Sequence, residues 1–316
     1  MILTPMVDDN PRTELAVRVA WLYHERGLTQ QEIADRLGLS RSTVSRILSD
    51  AERDGIIRVI ITKPLPETAR MAEGLIERYG LRGAVVGPAI DGDTPALAAA
   101  SAMARRLEGI AAGGSVTIAA GWGRTIALSA EQTRPTPTSD VLVVDAFGHT
   151  TTDDTTAAVE VTNTLSRKFD AKVMHVPSPG FAESRELAET YLESPPVARA
   201  LETARTADFV VVSIGVVGRD SLLIEEGFIS REAMDDVVAA GAVGEVFGWY
   251  YDADGSAVEA RGLFPIALTT TDLREAKRVI GVAGGAEKAE SVKGAIAAGI
   301  IHELAIDETL ATALLA

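Results

Sequence analysis

The spacing of hydrophobic residues changes near residue 64 of this 316-residue chain. Before that point, apolar residues recur every three or four positions, as on one side of an α-helix. After it, short continuous apolar runs alternate with longer amphipathic stretches, which is typical of buried strands separated by helices. The sequence therefore predicts a small helical domain over residues 1–63 and a larger α/β domain over residues 64–316.

The first domain begins with a predicted helix in TELAVRVAWLYHERG. Leu15, Val19, Leu22 and Tyr23 form its apolar side, and Gly27 is placed to end it. The segment IIRVIITKP, at the other end of the domain, predicts a strand or wing. The first domain is therefore predicted to be of the winged type.

The two helices between these segments have start and stop signals. In TQQE, Thr29 can cap the second helix while Glu32 reaches back to the Thr29 N–H, which is a capping box. Gly38 then supplies a tight turn, and Ser40 caps a third helix that continues to about Asp54. Two helices joined by a tight glycine turn indicate a helix-turn-helix.

The third helix has one apolar and one polar face. The apolar face carries Val44, Ile47, Leu48 and Ala51. The polar face carries Ser42, Ser45, Arg46, Ser49 and Arg53, with Arg41 and Thr43 on its flanks. Short hydroxyls let a helix approach DNA closely, and arginine can form two hydrogen bonds to guanine or phosphate. This face is typical of a recognition helix in the major groove, and the alternative is an ordinary three-helix bundle with a solvated face.

Charge assigns DNA binding to the first domain. Residues 1–63 contain nine Lys and Arg against nine Asp and Glu, whereas the other 253 residues contain 21 against 36 and carry the whole net charge of −15. Such an acidic body repels the phosphate backbone of nucleic acid. The predicted DNA contacts are Thr29, Gln30, Arg41, Ser42, Thr43, Ser45, Arg46 and Ser49.

Seven apolar runs in the second domain predict strands. They are GAVVG (83–87), SVTIAAG (115–121), DVLVVDAFG (140–148), AKVMHVP (171–177), DFVVVSIG (208–215), VIGVAGG (279–285) and IIHELAID (300–307). Helices are predicted over residues 93–112, 124–133, 154–168, 183–206, 230–240, 286–298 and 307–315. This alternation predicts a doubly wound α/β fold, in which ligands bind beyond the carboxyl ends of the strands.

The loop GWGRT is the most informative candidate ligand site. Gly121 and Gly123 flank Trp122, and Arg124 and Thr125 begin a helix. Glycines let backbone N–H groups approach a ligand, and a helix start with Thr and Arg suits an anion. Trp122 can stack on the apolar face of a sugar. The spacing matches neither a Walker loop nor a dinucleotide fingerprint, and the alternative is a plain strand-to-helix turn.

Lys288 in the loop VAGGAEK is a second candidate. It lies on the first turn of a predicted helix, where a cation opposes the helix dipole and is destabilising without a nearby anion. We therefore expect Lys288 to contact an anion. A solvated surface lysine is the alternative.

These segments resemble one family along nearly the whole chain. LTQQEIADRLGLSRSTVSRILSDAERDGIIRV resembles the first domain of SorC/DeoR-type sugar-sensing transcriptional regulators. GWGRT, VVDAFG, GAVGEVFGWYYDADG, VIGVAGGAEKAESVKGAI and IHELAIDETLATALL resemble landmarks of that family's sugar-binding domain, in the same order. The resemblance implies a fold like that of sugar-phosphate isomerases, a small phosphorylated sugar or polyol as effector, and binding to operator double-stranded DNA as a homodimer or homotetramer.

The resemblance also implies which residues contact the effector. Gly121, Trp122, Gly123, Arg124 and Thr125 match the effector-phosphate loop, and Lys288 matches the lysine at the helix start. Gly148, Asn163, Gly215, Asp252 and Gly284 are the further implied contacts. The chain departs from some relatives after VVD, where Ala146 and Phe147 provide no cation. A doubly phosphorylated effector is therefore less expected than a singly phosphorylated or unphosphorylated one.

Composition excludes several other classes of function. The chain has no cysteine, so it has no disulfides and no thiolate metal sites, as expected for a reducing cytoplasm. His24, His149, His175 and His302 are scattered without metal-ligand spacing, and no G-x-S-x-G motif occurs. No signal peptide and no membrane-length apolar run is present. We expect a cytoplasmic protein without metal, cofactor or catalytic residues.

The function expected from the sequence is transcriptional regulation of a carbohydrate or polyol catabolic operon, most simply by a repressor that the effector releases. Activation by the effector is an open alternative. A DNA-bound oligomeric scaffold without an effector, and an active isomerase-like or deaminase-like enzyme joined to a DNA-binding domain, are the other readings.

Overall fold

A computed structural model describes residues 11–57, 66–90, 92–138, 140–150 and 157–316. The chain divides into two compact units, Met1–Pro64 and Leu65–Ala316. The wing predicted in IIRVIITKP lies, except for its first two residues, outside the described ranges. Among the described helices, none is long and apolar enough to cross a membrane.

The first unit contains the three predicted helices, α1 (Pro11–His24), α2 (Gln30–Leu37) and α3 (Arg41–Arg53). The capping box is confirmed, because the Thr29 N–H donates to Glu32 Oε2 (2.8 Å) and the Glu32 N–H donates to Thr29 Oγ1 (3.3 Å). Gly38 is left-handed with φ +67°, and Ser40 caps α3 by accepting from the Thr43 N–H at 3.1 Å. The helix-turn-helix is therefore fixed by local hydrogen bonds at both helix starts.

A compact core joins these helices. The side chains of Val19, Ala20, Leu22, Ile33, Ala34, Val44 and Leu48 form it. Tyr23 is not part of this core and is 38% exposed, so its place on the apolar side of α1 was predicted wrongly. The neighbouring helices instead pack on the side that carries Ala16 and Ala20, whose small side chains allow a close approach.

The second unit alternates strands and helices. Its strands are β1 (Gly83–Gly87), β2 (Val116–Ala120), β3 (Val141–Asp145), β4 (Lys172–Met174), β5 (Phe181–Ala182), β6 (Phe209–Ser213), β7 (Gly215–Val216), β8 (Ala242–Val246), β9 (Trp249–Asp252), β10 (Ala257–Val258), β11 (Phe264–Pro265), β12 (Val279–Ala283) and β13 (Glu303–Asp307). Its helices are α4 (Glu67–Tyr79), α5 (Pro95–Ala111), α6 (Arg124–Gln132), α7 (Ala158–Phe169), α8 (Arg185–Glu193), α9 (Pro195–Arg205), α10 (Leu222–Glu225), α11 (Arg231–Ala239), α12 (Thr270–Glu275), α13 (Ala289–Ala297) and α14 (Glu308–Leu315), with a 3₁₀ turn over Ala286–Lys288.

The seven predicted strands form one parallel sheet in the described residues, in the order β1-β13-β12-β6-β2-β3-β4. Successive residues of a strand point to opposite faces, so two cores result. Ile118 and Val211 pack with α5, α6 and α7, whereas Ala119 and Val212 pack with α4, α9, α13 and α14. The doubly wound α/β fold is therefore confirmed.

Several features differ from the predicted elements. The single helix predicted over 183–206 is two helices, α8 and α9, because Pro195 and Pro196 begin a new helix but cannot continue one. Smaller antiparallel sheets, β10-β9-β8-β7 and β11-β5, were not predicted. Their strands have two to five residues, and the β8–β9 turn has positive φ at both Phe247 and Gly248. Strands this short contain too few alternating apolar and polar residues to be predicted from the sequence.

The C-terminal segment docks on the body. Asp307 caps α14 by accepting from the Thr309 N–H (2.9 Å). Leu310 and Leu314 are buried, and the Tyr79 hydroxyl on α4 donates to the Leu314 carbonyl at 2.7 Å.

Candidate functional site

A cavity of about 490 Å³ lies at the carboxyl ends of β2 and β6. These central strands are neighbours, but the chain continues from β2 towards β3 and β4, and from β6 towards β12 and β13. Because the chain leaves β2 and β6 towards opposite edges of the sheet, the loops that follow the two strands separate and leave a crevice between them. We call it the switch-point cavity. Its walls come from the loops after β2 and β6, from β8 with its turn, and from the 3₁₀ turn before α13.

The GWGRT loop forms one wall. Trp122, Gly123, Arg124 and Thr125 line the switch-point cavity, and Gly123 precedes α6 with φ +120°. Gly121 lies behind this wall, where its N–H donates to the Val211 carbonyl at 3.0 Å. The loop therefore presents the start of a helix to the cavity, as the sequence predicted.

Trp122 is held more tightly than its proposed stacking role requires. It is 5% exposed, and its ring stacks on Phe147 with centroids 5.5 Å apart. Its ring also makes a T-shaped contact with Phe228, with centroids 5.7 Å apart. Because only 5% of Trp122 is exposed and Phe147 covers one face of the indole, Trp122 serves as an apolar wall, and stacking on a sugar is not favoured.

Lys288 brings a cation into the switch-point cavity. Its ammonium donates to the carbonyl of Ile214, the residue after β6, at 3.0 Å. Burial lowers the pKa of Lys288, whereas Glu245 and Glu287 raise it and Arg124 lowers it further. A partly desolvated ammonium that touches one carbonyl has donors left for an anionic ligand.

Glu245 is a cavity residue that the sequence analysis missed. It lies in β8, its side chain is buried, and its Oε2 accepts from the Gly248 N–H at 2.8 Å. A Cβ atom on Gly215 would lie 1.8 Å from Glu245 Oε1, so glycine is required there for the carboxylate to fit. The only sequence signal was a carboxylate inside the apolar run GAVGEVFG.

Burial raises the pKa of Glu245 to about 7, although the Gly248 N–H and the ammonium of Lys288 lower it. Between about pH 4.5 and 7 the unfolded chain releases this proton while the folded chain keeps it, so the free energy of unfolding falls as pH rises.

The substitution Glu245→Gln removes this pH-dependent loss of stability. We expect the free energy of unfolding of the variant, measured relative to that of the wild type, to rise by about 2–3 kcal/mol from pH 5 to pH 8. Urea unfolding of both proteins at pH 5 and at pH 8 measures this change. The same difference in stability at both pH values would contradict the raised pKa of Glu245.

Four implied effector contacts lie elsewhere. Within the described residues, the lining of the switch-point cavity does not include Gly148, Asn163, Asp252 or Gly284. The Gly148 N–H donates to the Ile266 carbonyl at 2.8 Å, and Asn163 is half-buried on α7. A Cβ atom on Gly284 would lie 2.5 Å from the carbonyl oxygen of Pro95. Gly284 therefore allows the loop after β12 to pack on the start of α5.

Asp252 has a local role in the turn between β9 and β10. Its Oδ1 accepts from the N–H groups of Asp254 (3.0 Å) and Ser256 (2.8 Å). These bonds stabilise the turn. The effector contacts assigned to Asp252, Gly148, Asn163 and Gly284 are therefore not favoured by their positions.

The polar face of α3 is the candidate DNA surface of the first unit. Arg41, Ser42, Ser45, Arg46 and Ser49 are all exposed. Within the described residues, Arg41 and Arg46 form no ion pair, whereas Arg53 pairs with Asp50 (2.7 Å) and Asp54 (3.2 Å). The guanidinium groups near the start of α3 are therefore available to DNA.

The remaining predicted contacts cluster at the helix starts. Ser42 and Thr43 share hydrogen bonds with Ser40, with Oγ···Oγ 2.9 Å and Oγ···Oγ1 2.7 Å respectively. The Thr29 hydroxyl donates to Glu32 (2.8 Å). Thr29, Gln30 and Arg41 border one surface groove. The start of α2 is thus placed beside the start of α3.

Comparison with known proteins matches both units. Residues 63–316 match a family described as "Putative sugar-binding domain", and residues 15–64 match a Crp-like helix-turn-helix domain. The transcriptional regulator LsrR of Klebsiella pneumoniae is 31% identical over 310 residues, with 96% of this chain and 93% of LsrR covered. The erythritol catabolism regulatory protein EryD of Brucella abortus is 27% identical, with 95% and 96% covered.

Solved structures show the same fold. The full-length sorbitol operon regulator SorC from Klebsiella pneumoniae gives a TM-score of 0.71 at 24% identity, covering 96% of this chain and 99% of that chain. A DeoR family transcriptional regulator from Listeria monocytogenes gives a TM-score of 0.73 at 22% identity, covering 79% of this chain and all of that one. With a helix-turn-helix in front of a sugar-binding domain, the chain belongs to the SorC/DeoR-type family of sugar-binding transcriptional regulators.

Proposed function

We propose that this protein is an effector-controlled repressor of a carbohydrate or polyol catabolic operon. It binds operator DNA through the exposed Ser/Arg face of α3 and binds a small phosphorylated sugar or polyol in the switch-point cavity. The observation that carries the proposal is that Lys288 and Glu245 line the same cavity, beside the helix start at Arg124.

The chemistry of the cavity favours a ligand with both an anionic group and hydroxyl groups. The ammonium of Lys288 and the first turn of α6 attract a phosphate. The buried carboxylate of Glu245 accepts hydrogen bonds from sugar or polyol hydroxyls. The names of two relatives, an erythritol catabolism regulatory protein and a deoxyribonucleoside regulator, support a small polyhydroxylated class of effector.

Control of transcription requires a difference in affinity between two states. A helix-turn-helix regulator usually binds two half-sites as a dimer, so a homodimer or homotetramer is part of the proposal. The effector favours an arrangement in which the two recognition helices no longer match the half-site spacing. A preference of about 1–3 kcal/mol for that arrangement changes DNA affinity about 5–150-fold.

A thermal-shift panel tests the effector class. Sugars, polyols and their phosphates are compared in matched phosphorylated and unphosphorylated pairs. A ligand present at 100 times its Kd should stabilise the protein by about 2.7 kcal/mol, and we expect a phosphorylated member to do so. If no member of the panel shifts unfolding, the protein acts as a DNA-bound scaffold instead.

One observation favours a second candidate, an active isomerase-like enzyme. A carboxyl group with a pKa of about 7 inside a ligand cavity is suited to general acid–base catalysis. Turnover of the stabilising sugar phosphate by the wild-type protein, and its loss in Glu245→Gln, would establish this activity. Binding without turnover supports the regulator.

A further inference from the structure

A second cavity adjoins the switch-point cavity and shares Arg124 and Asp220 with it. Its volume is about 670 Å³. The guanidinium groups of Arg124, Arg219 and Arg231 border it, against the carboxylates of Asp220 and Glu225. We call it the arginine cavity. Its lining contains more positive than negative charge, within a domain whose overall charge is strongly negative.

Only one of the three arginines is neutralised by a direct partner in the described part of the chain. Arg124 forms an ion pair with Glu225, whereas Arg219 and Arg231 form none there. Guanidinium groups gathered around one cavity repel each other, and an anion between them removes that repulsion. Glu225 already supplies one such carboxylate, since it lies in α10 and reaches across to Arg124 at the start of α6.

We propose that the arginine cavity is a second anion site that binds a phosphate group through Arg219 and Arg231, with Arg124 shared between the two cavities. Guanidinium groups match phosphate because they donate two parallel hydrogen bonds. Glu225 is the internal carboxylate that competes with the phosphate for Arg124. The phosphate is either the second phosphate of a doubly phosphorylated effector or inorganic phosphate.

The site changes what the sequence indicated about the effector. Ala146 and Phe147 leave no cation after β3, which disfavoured a doubly phosphorylated ligand. The structure places three cations at a different edge of the same cavity system. The statement about the effector rests on the proposed function, whereas the binding of inorganic phosphate does not.

Equilibrium dialysis with radiolabelled inorganic phosphate tests the site on the full chain. We expect two phosphates per chain for the wild type, one for Arg219→Ala/Arg231→Ala and one for Lys288→Ala. Arg199→Ala/Arg261→Ala is the matched control, because it removes the same charge from two exposed positions outside both cavities. An unchanged stoichiometry in Arg219→Ala/Arg231→Ala, or an equal loss in the control, overturns the proposal.

The same measurement separates this proposal from the proposed function. One phosphate that is lost only in Lys288→Ala overturns the arginine cavity and leaves the switch-point cavity intact. One phosphate that is lost only in Arg219→Ala/Arg231→Ala supports the arginine cavity and counts against the anion site at Lys288.

Two further comparisons test the competing carboxylate and the source of the phosphate. Glu225→Gln should tighten phosphate binding at least about threefold, because Arg124 is released from its exposed ion pair. Weaker phosphate binding in this variant would show that Glu225 does not compete with phosphate for Arg124.

Glucose 1,6-bisphosphate should bind about tenfold more tightly than glucose 6-phosphate, and this difference in affinity should vanish in Arg219→Ala/Arg231→Ala. A bisphosphate advantage that survives in this variant overturns the proposal. No such advantage, with two phosphates still bound, identifies inorganic phosphate as the ligand.

Discussion

Arg46→Ala is expected to weaken operator binding by about 1–3 kcal/mol and to leave ligand-induced stabilisation unchanged. Arg46 is exposed on the polar face of α3 and has no ion pair within the described residues, so its donors are free for a base edge or a phosphate. If it reads a base, specificity at one operator position relaxes. If it contacts only phosphate, the salt dependence of binding becomes shallower by about one unit. Fluorescence anisotropy at several salt concentrations distinguishes the two.

The matched control for this prediction is Arg18→Ala. Arg18 is also exposed in the first unit, but it lies on α1 and, within the described residues, lines neither the groove at Arg41 nor the groove at Arg46. Its loss removes the same charge without removing a predicted DNA contact. Equal effects of Arg18→Ala and Arg46→Ala on operator affinity would show that α3 does not read DNA.

Lys288→Ala is expected to weaken binding of a phosphorylated effector by about 2–5 kcal/mol, because a desolvated cation is removed from an anion site. An unphosphorylated polyol should lose much less. Glu245 also loses the ammonium that lowers its pKa, so the variant should be less stable than wild type above pH 7. Calorimetric titration with a phosphorylated ligand and its unphosphorylated partner measures the first effect, and urea unfolding at pH 8 measures the second.

Lys293→Ala provides the control on the same helical segment. Lys293 lies on α13, its side chain is 41% exposed, and it pairs with Glu290 at 3.0 Å. We expect it to change neither ligand affinity nor operator binding. If Lys288→Ala abolished operator binding while ligand binding persisted, the assignment of separate roles to the two units would be wrong.

The parallel sheet and the helix-turn-helix were predictable because their signals are local. Each central strand is a short apolar run buried on both faces, and each helix of the first unit has a capping residue or a turn glycine close in sequence. Lys288 was recognisable for the same reason, since a cation at a helix start conflicts with the helix dipole.

The rest of the site depends on contacts between distant segments. Glu245 enters the switch-point cavity only because β8 pairs with β7, which places Gly215 beside its carboxylate. Trp122 was expected to stack on a sugar, but it is 5% exposed and Phe147, which follows another strand, covers one face of its ring. Arg219 and Arg231 were not singled out, because nothing near them in sequence shows that they border one cavity with Arg124.

Operator affinity with and without the effector shows whether the switch-point cavity controls DNA binding. The full chain is titrated onto its own promoter fragment at low ionic strength, first alone and then with the ligand that most stabilises it. We expect tight binding to the promoter, weakened about 5–150-fold by the ligand, and no such response in Lys288→Ala. If the protein does not bind the promoter under either condition, or binds it with the same affinity when the ligand is present, it is not an effector-controlled regulator of that promoter.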